Sequence, residues 1–440
     1  MLRIITAIAA VATVVACAGQ PAAPTVDLPV SGGDGGAIDK LAADAVTDVQ
    51  AFWQETFPST FNGEFTPVRR LVSYDSTGAS QEFCGAKTAG VPNAFYCPAD
   101  DSIAWDRGEL LPMLSESFGE ASVVAVLAHE IGHAVQLRLG DRPGTPTIVR
   151  EQQADCYTGA YFRWTTDGKS RTFKLDAGQG LNPILSTLFF IRDAVGSDFD
   201  AQGAHGSAFD RVTAFQFGFS EGPARCARID IAEISRRSTQ QKFGPDERDV
   251  GLGKGNIRVD DAQAQEQLIR TLRAAFPRSQ PTVTRARARC ADAPLTSPVA
   301  YCPSTNVISL SMQDLVKIGT PPRRGREGGG IGDFAAFAEI ASRYVLSVQQ
   351  SAGLTIEGPA AAQRTACLTG TWAATIVSGS GAALELSPGD LDEAVAEMLA
   401  PKSLIAADVK GASASSGFDR VEAFRDGFLR SADTCLAKYR

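Results

Sequence analysis

His129 and His133 are two of only three histidines in the chain, and Glu130 stands between them. At about 3.6 residues per turn, positions 129 and 133 fall on one face of a helix, one turn apart. Two imidazoles placed this way can share one Zn²⁺ at about 2.0–2.1 Å. Glu130 projects from a neighbouring direction and can reach a water beside that ion. His-Glu-Ile-Gly-His is thus the HExxH arrangement, which couples a zinc site to a general base. Burying two imidazoles and a carboxylate in an apolar helix for packing alone would be costly.

A catalytic zinc needs a third protein ligand and one open position. Positions 136–139 are Gln-Leu-Arg-Leu, so the HExxHxxGxxH extension is absent. Further on, Glu151 and Asp155 stand one turn apart in Arg-Glu-Gln-Gln-Ala-Asp-Cys. One can ligate the metal, and the other can accept the free N–H of a ligand imidazole; a solvated acidic pair is the plain alternative. Residues 119–139 form a long apolar stretch without alternation, which predicts a buried helix stopped by Gly140. A second helix follows the loop from Gly140 to Pro146. Gly132, in mid-helix, costs about 1 kcal/mol against Ala and could admit that second helix closely.

These blocks, with His205-Gly206-Ser207 and Arg211, resemble the bacterial neutral zinc metallopeptidase family. Phe95-Tyr96-Cys97-Pro98-Ala99-Asp100, with Ile103 and Asp106, adds to the likeness, which covers residues 45–235. The arrangement is similar to that of gluzincins. The resemblance implies that Glu151 is the third metal ligand and Asp155 its support behind an imidazole. It also implies that His205 hydrogen-bonds the oxyanion of a tetrahedral intermediate, with Arg211 pairing to Asp155 or to the ligand glutamate. A structural histidine capping the helix near Ser207 is the other role open to His205.

The chain carries a repeat. Phe-Asp-Arg-Val-Thr-Ala-Phe at 209–215 matches Phe-Asp-Arg-Val-Glu-Ala-Phe at 418–424, an offset of 209. Tyr96-Cys97-Pro98 matches Tyr301-Cys302-Pro303, Cys156 matches Cys367, and Phe57-Pro58, ending a helix, matches Phe276-Pro277. Ordered landmarks at this separation predict two copies of one unit of about 200 residues. Each copy holds four cysteines, and the economical pairing is Cys84–Cys97, Cys156–Cys226, Cys290–Cys302 and Cys367–Cys435. In the second copy Ala338, Ser342, Ala362, Ala366 and Ala414 stand where the first has His129, His133, Glu151, Asp155 and His205. That copy cannot form the zinc site, and the partner it serves is left unnamed by the sequence.

Residues 1–17 have a positive start, an apolar run too short to span a bilayer, and small residues before Cys17. The ending resembles a bacterial lipobox, which implies a lipid on Cys17 and anchoring at the extracytoplasmic face of the cell membrane. An ordinary signal peptide with an incidental cysteine is the alternative. Export agrees with eight further cysteines as disulfides. A net charge of −8 offers no basic stripe for nucleic acid, and 44% hydrophobic residues exclude full disorder.

The expected organisation is a signal over 1–17, a tether over 18–37, a zinc metallopeptidase domain over 38–236, a linker over 237–258 and a metal-less domain over 259–440. The expected fold class is α+β, two tandem copies of a zincin-like, mostly helical unit with a small sheet. The expected function is hydrolysis of a peptide or protein substrate, Glu130 acting as general base and His205 aiding the oxyanion. Ser102–Trp105 is a candidate edge strand for the substrate backbone; a purely structural strand is the alternative. A lipid-anchored binding or scaffold protein that retains zinc is the competing expectation, and cell-wall peptide cross-links are an alternative substrate.

Overall fold

The structure, a computed structural model, describes residues 29–140, 144–237, 243, 252–286, 289–321, 329–377 and 384–440. Cys17, the signal segment and most of the expected tether and linker lie outside these residues. The fold class is α+β: many helices around two small sheets and a short ribbon.

In the first half, β1 (Val30–Ser31), β2 (Arg70–Tyr74), β3 (Ala94–Cys97) and β4 (Ser102–Asp106) form one sheet in the order β1-β2-β4-β3. Strands β1, β2 and β4 run parallel, and β3 pairs antiparallel with β4, Tyr96 facing Ile103. A strand at Val30–Ser31 therefore lies inside the segment expected to be a tether. Two residues add backbone hydrogen bonds to β2, a contribution that a composition of Pro, Gly and small residues does not signal. The strand at 102–106 is buried along its whole length and lies inside the sheet. It is not the edge; β3 is. Strand order comes from pairing between distant segments, which a local pattern cannot reveal.

Helix α1 (Ala37–Phe61) runs past Pro58 and ends at Asn62, which takes the left-handed conformation. Its apolar face, with Phe52, Trp53 and Phe57, packs against Tyr157, Tyr161 and Trp164. Helix α2 (Glu120–Arg138) is buried on all sides, so it shows no amphipathic stripe. Its ends suit the helix dipole, with Glu120 in the first turn and Arg138 in the last. Gly140, at φ +77°, turns the chain away. Helix α3 (Thr147–Thr166) lies on α2, α4 (Asn182–Phe190) follows, and α5 (Ala208–Glu221) crosses α3. At that crossing a Cβ on Gly159 would overlap the carbonyl oxygen of Phe215, and one on Gly218 would overlap that of Cys156. The Cys156–Cys226 disulfide fastens the same crossing. Closing a loop of 70 residues contributes about 4 kcal/mol in the chain-entropy view.

The second half presents a similar run of elements. Its sheet is β5 (Thr282–Thr284), β6 (Val299–Cys302) and β7 (Val307–Leu310), ordered β5-β7-β6. Helices α6 (Asp333–Ser351), α7 (Pro359–Ala374), α8 (Asp390–Leu399) and α9 (Gly417–Leu429) follow. Gly370 and Gly427 meet Phe424 and Cys367 as closely as their counterparts do, and Cys367–Cys435 fastens that crossing. Cys84–Cys97 and Cys290–Cys302 close the two short loops.

The halves join through α5 and α9. Phe209 meets Phe424 at 6.2 Å and Phe428 at 5.2 Å, while Phe418 meets Phe215 at 6.4 Å and Phe219 at 4.8 Å. The contacts are reciprocal, as across a two-fold axis. One continuous core runs through both halves. The helix Ile231–Arg237 belongs to the first half and reaches the first residue of the expected linker. Arg237 is buried, with its guanidinium on Gln152 and near Asp210.

Candidate metal centre

The two helix faces set the centre. On α2, one turn separates His129 from His133, and their rings stand perpendicular with centroids 4.9 Å apart. On α3, one turn separates Glu151 from Asp155. The close approach that brings α3 to α2 runs through Gly132, where an added Cβ would lie 2.9 Å from Ala154 Cα. His129 Nε2 lies 3.0 Å from Glu151 Oε2, and His133 Nε2 lies 3.5 Å from Glu151 Oε1. These three groups can present ligand atoms within 4.8 Å of one another. Neighbouring ligands of a tetrahedral zinc at about 2.05 Å stand about 3.3 Å apart, so the separations fit one ion.

The far nitrogen of each imidazole is tied down. His129 Nδ1 lies 2.9 Å from Asp155 Oδ1, and His133 Nδ1 lies 3.0 Å from the amide oxygen of Gln136. With Nδ1–H donating in both rings, both Nε2 lone pairs point at the shared site. Asp155 is fully buried and also receives Arg211, through Nε and Nη2 at 2.9 Å each. Arg211 Nη1 donates to the carbonyl of Ile191. Gln136 in turn donates to Arg150 O and to Gln153 Oε1.

Glu130 faces the same space from the β3 side, its Oε2 accepting the Tyr96 N–H at 2.8 Å. His205 closes the opposite wall. Its side chain is 44% exposed, and Nε2 lies 3.6 Å from Glu151 Oε2. Asp193 holds it there, accepting the N–H groups of His205 and Gly206 and lying 3.5 Å from Nδ1. His205 is not the cap of α5; Ser207 Oγ is, accepting from Asp210 N. A cavity of about 390 Å³ opens over these groups, walled by Phe95, Leu110, Val126, Leu188 and Ile191. A larger hollow of about 580 Å³ lies beyond the end of α2, but none of His129, Glu130, His133 or Glu151 lines it.

Burial and charge oppose each other throughout. Burial by itself would push His129 down, yet the carboxylates of Asp155 and Glu151 outweigh it and hold it up at about 10. His133 is raised for the same reason, chiefly by Glu151. Burial would lift Glu151, but the two imidazoles hold it well below the usual carboxylate range. Asp155 is lowered against its burial by Arg211 and His129. Glu130 moves the other way, pushed up by burial with no cation strong enough to offset it. Two neutral imidazoles and a carboxylate form a donor set that a divalent ion satisfies in place of protons.

Of the residues legible in the sequence, His129, Glu130, His133, Glu151, His205 and Arg211 line this one space, and Asp155 stands behind His129. Gln136, Asp193 and the Tyr96 N–H have no counterpart among those expectations. Gln136 could have been found, since it lies one turn beyond His133 on the same helix. Asp193 and the backbone donor of Tyr96 carry no spacing signal, because both arrive from separate loops or strands.

Residues 13–229 match the family described as "Putative neutral zinc metallopeptidase". The match takes in every residue of the centre. The chain is 26% identical over 205 residues to "Uncharacterized protein YpfJ" of Escherichia coli, covering 42% of this chain and 70% of that protein. It is 27% identical over 210 residues to "Uncharacterized protein Rv2575" of Mycobacterium tuberculosis, covering 42% of this chain and 69% of that one. No solved structure matches the chain.

Proposed function

We propose that this protein, whose residues 13–229 match the family described as putative neutral zinc metallopeptidase, hydrolyses peptide bonds at the His129–His133–Glu151 centre. The carrying observation is the convergence of two Nε2 atoms and one carboxylate beside Glu130. Zinc bound there supplies a positive centre that polarises a carbonyl and makes water nucleophilic near neutral pH. His129, His133 and Glu151 hold the ion, while Asp155 and Gln136 fix the imidazole tautomers.

Glu130, raised by burial, takes the proton from the attacking water and delivers it to the leaving amine. The Tyr96 N–H holds its carboxylate against β3 meanwhile. His205, steadied by Asp193, donates to the oxyanion from the opposite wall. β3 is the sheet edge beside the cavity and offers a backbone for an extended substrate to lie along. Leu110, Val126, Leu188 and Ile191 make the wall apolar, which suits an apolar side chain next to the cleaved bond.

The apolar leader ending at Cys17 and the four disulfides support a lipid-anchored enzyme on the extracytoplasmic face. No helix among the described residues is long and apolar enough to cross a membrane. The test is zinc content and casein cleavage, with and without chelator, for the wild type and Glu130→Gln. Zinc should be retained in Glu130→Gln while turnover falls about 10²–10⁴-fold. Zinc binding without any cleavage by the wild type would favour the non-catalytic scaffold instead.

A further inference from the structure

The chain from Ile191 to Arg211 forms one side of the centre. It carries the carbonyl that receives Arg211, the Asp193 that holds His205, and His205 itself. Both ends of this segment are tied to the other half of the molecule by a single side chain. Asp392, on α8, is buried. Its Oδ1 accepts the Phe209 N–H at 3.0 Å, in the first turn of α5. Its Oδ2 lies 3.1 Å from Arg192 Nε. One carboxylate thus bridges residue 192, next to Ile191 and Asp193, and residue 209, two before Arg211.

The mirror contact exists and differs in charge. Asn182, at the start of α4, accepts the Gly417 N–H at 2.9 Å, in the first turn of α9. Each half therefore caps the crossing helix of the other. Only the cap reaching the metal-binding half is ionisable and paired to an arginine. An anionic acceptor suits a helix N-terminus, and removing it would leave Arg192 without its counter-charge in a largely buried place.

We propose that Asp392 is a positioning residue for the metal centre, by which the carboxy-terminal half sets the segment carrying Arg211, Asp193 and His205. Its kinetic readout rests on the peptidase reading; its metal readout does not. The chain of contacts is continuous: Asp392 to Arg192 and Phe209, Arg211 to Asp155, Asp155 to the imidazole of His129. The second half acts on the first through this carboxylate, without touching substrate or ligand.

Full-length Asp392→Ala, Asp392→Asn and Asn182→Ala test this, each read for melting temperature, kcat, KM and the rate of zinc loss to a chelator. Asp392→Ala should lower kcat about 10-fold with KM nearly unchanged, and should speed zinc loss, as expected of a support behind metal ligands. Asn182→Ala should lower the melting temperature and leave kcat and zinc loss as in the wild type. Equal effects of the two alanine variants on kcat, following the folded fraction with zinc loss unaltered, would overturn the proposal. If Asp392→Ala does not fold, Asp392→Asn decides, because it keeps an acceptor and removes the charge: slower turnover or faster zinc loss supports the proposal, and wild-type values overturn it. A wild type that binds zinc and cleaves nothing would sink the peptidase reading alone, and zinc loss from Asp392→Asn would still decide this one.

Discussion

Helices α2 and α6 are each 19 residues long and hold matching places, yet their interiors do different work. In α2 the buried polar groups converge on a space that suits an ion. In α6 the matching positions are Ala338 and Ser342, both buried, so the pair of imidazoles is missing at that place. What persists is the packing. The paired glycines, the long disulfide and the reciprocal phenylalanines recur in both halves.

The arginines sharpen the contrast. Arg211 Nη1 binds the carbonyl of Ile191, and Arg420 Nη1 binds the corresponding carbonyl of Ala400. That bond belongs to the architecture. Arg211 also hydrogen-bonds the carboxylate of Asp155, whereas Arg420 Nε turns to the carbonyl of Ser416. A further buried guanidinium, Arg343, stands where the first half has Ala134. It donates to the carbonyls of Leu404, Ala407 and Asp408. The interior of the second half is therefore cross-linked by arginine and backbone. Glu339, the counterpart of Glu130, is kept, but it accepts the Leu404 N–H and lies against Glu397. Retention of a residue type does not carry retention of its task.

The strongest way to break this comparison is to write the second half's residue into the first. His129→Ala should abolish stoichiometric zinc in the full-length protein, and with it all chelator-sensitive cleavage. Zinc measured at one equivalent in that variant would place the metal elsewhere. A smaller effect tests the shared packing. Gly159→Ala and Gly370→Ala should each destabilise by about 1–3 kcal/mol, because a Cβ at either place meets a backbone carbonyl. Denaturant titrations that show a cost in only one half would refute the equivalence of the two crossings.

The smallest effect concerns buried acids of the second half. Burial pushes Asp333 up to about 7, against the pull of the Ile257 N–H, and raises Glu339 and Glu393 as well. An unfolded aspartate titrates near 3.9. Its contribution is complete below that value and is lost as pH rises through about 7, since the folded state must then ionise a buried carboxyl. The denaturation midpoint of the zinc-loaded protein should be lower at pH 7.5 than at pH 5, and Asp333→Asn should flatten the slope, by at most about 1.4 kcal/mol per pH unit. A midpoint that rises over this interval would contradict the assignment.

Much of the centre was legible because its logic is local. The spacing of His129 and His133, like that of Glu151 and Asp155, is one helical turn, and a helix turns a spacing into a shared face without help from the rest of the chain. That alanine and serine stand at the matching positions of the second half could be seen for the same reason. Pairing between distant segments was not legible: nothing in Ser102–Asp106 says that it lies inside a sheet, and nothing in Ala94–Cys97 says that it is the edge beside Glu130. The strand at Val30 and the burial of Arg237 escaped for a related cause, since each depends on a partner far along the chain. By itself, the order of residues determined which side chains could hold an ion and which half lacks them at the matching positions. Only the tertiary structure decided that Asp193 and the Tyr96 N–H stand around that place and that Asp392 holds the segment behind it, because they come from a loop, a strand and the opposite half, and only packing brings them together.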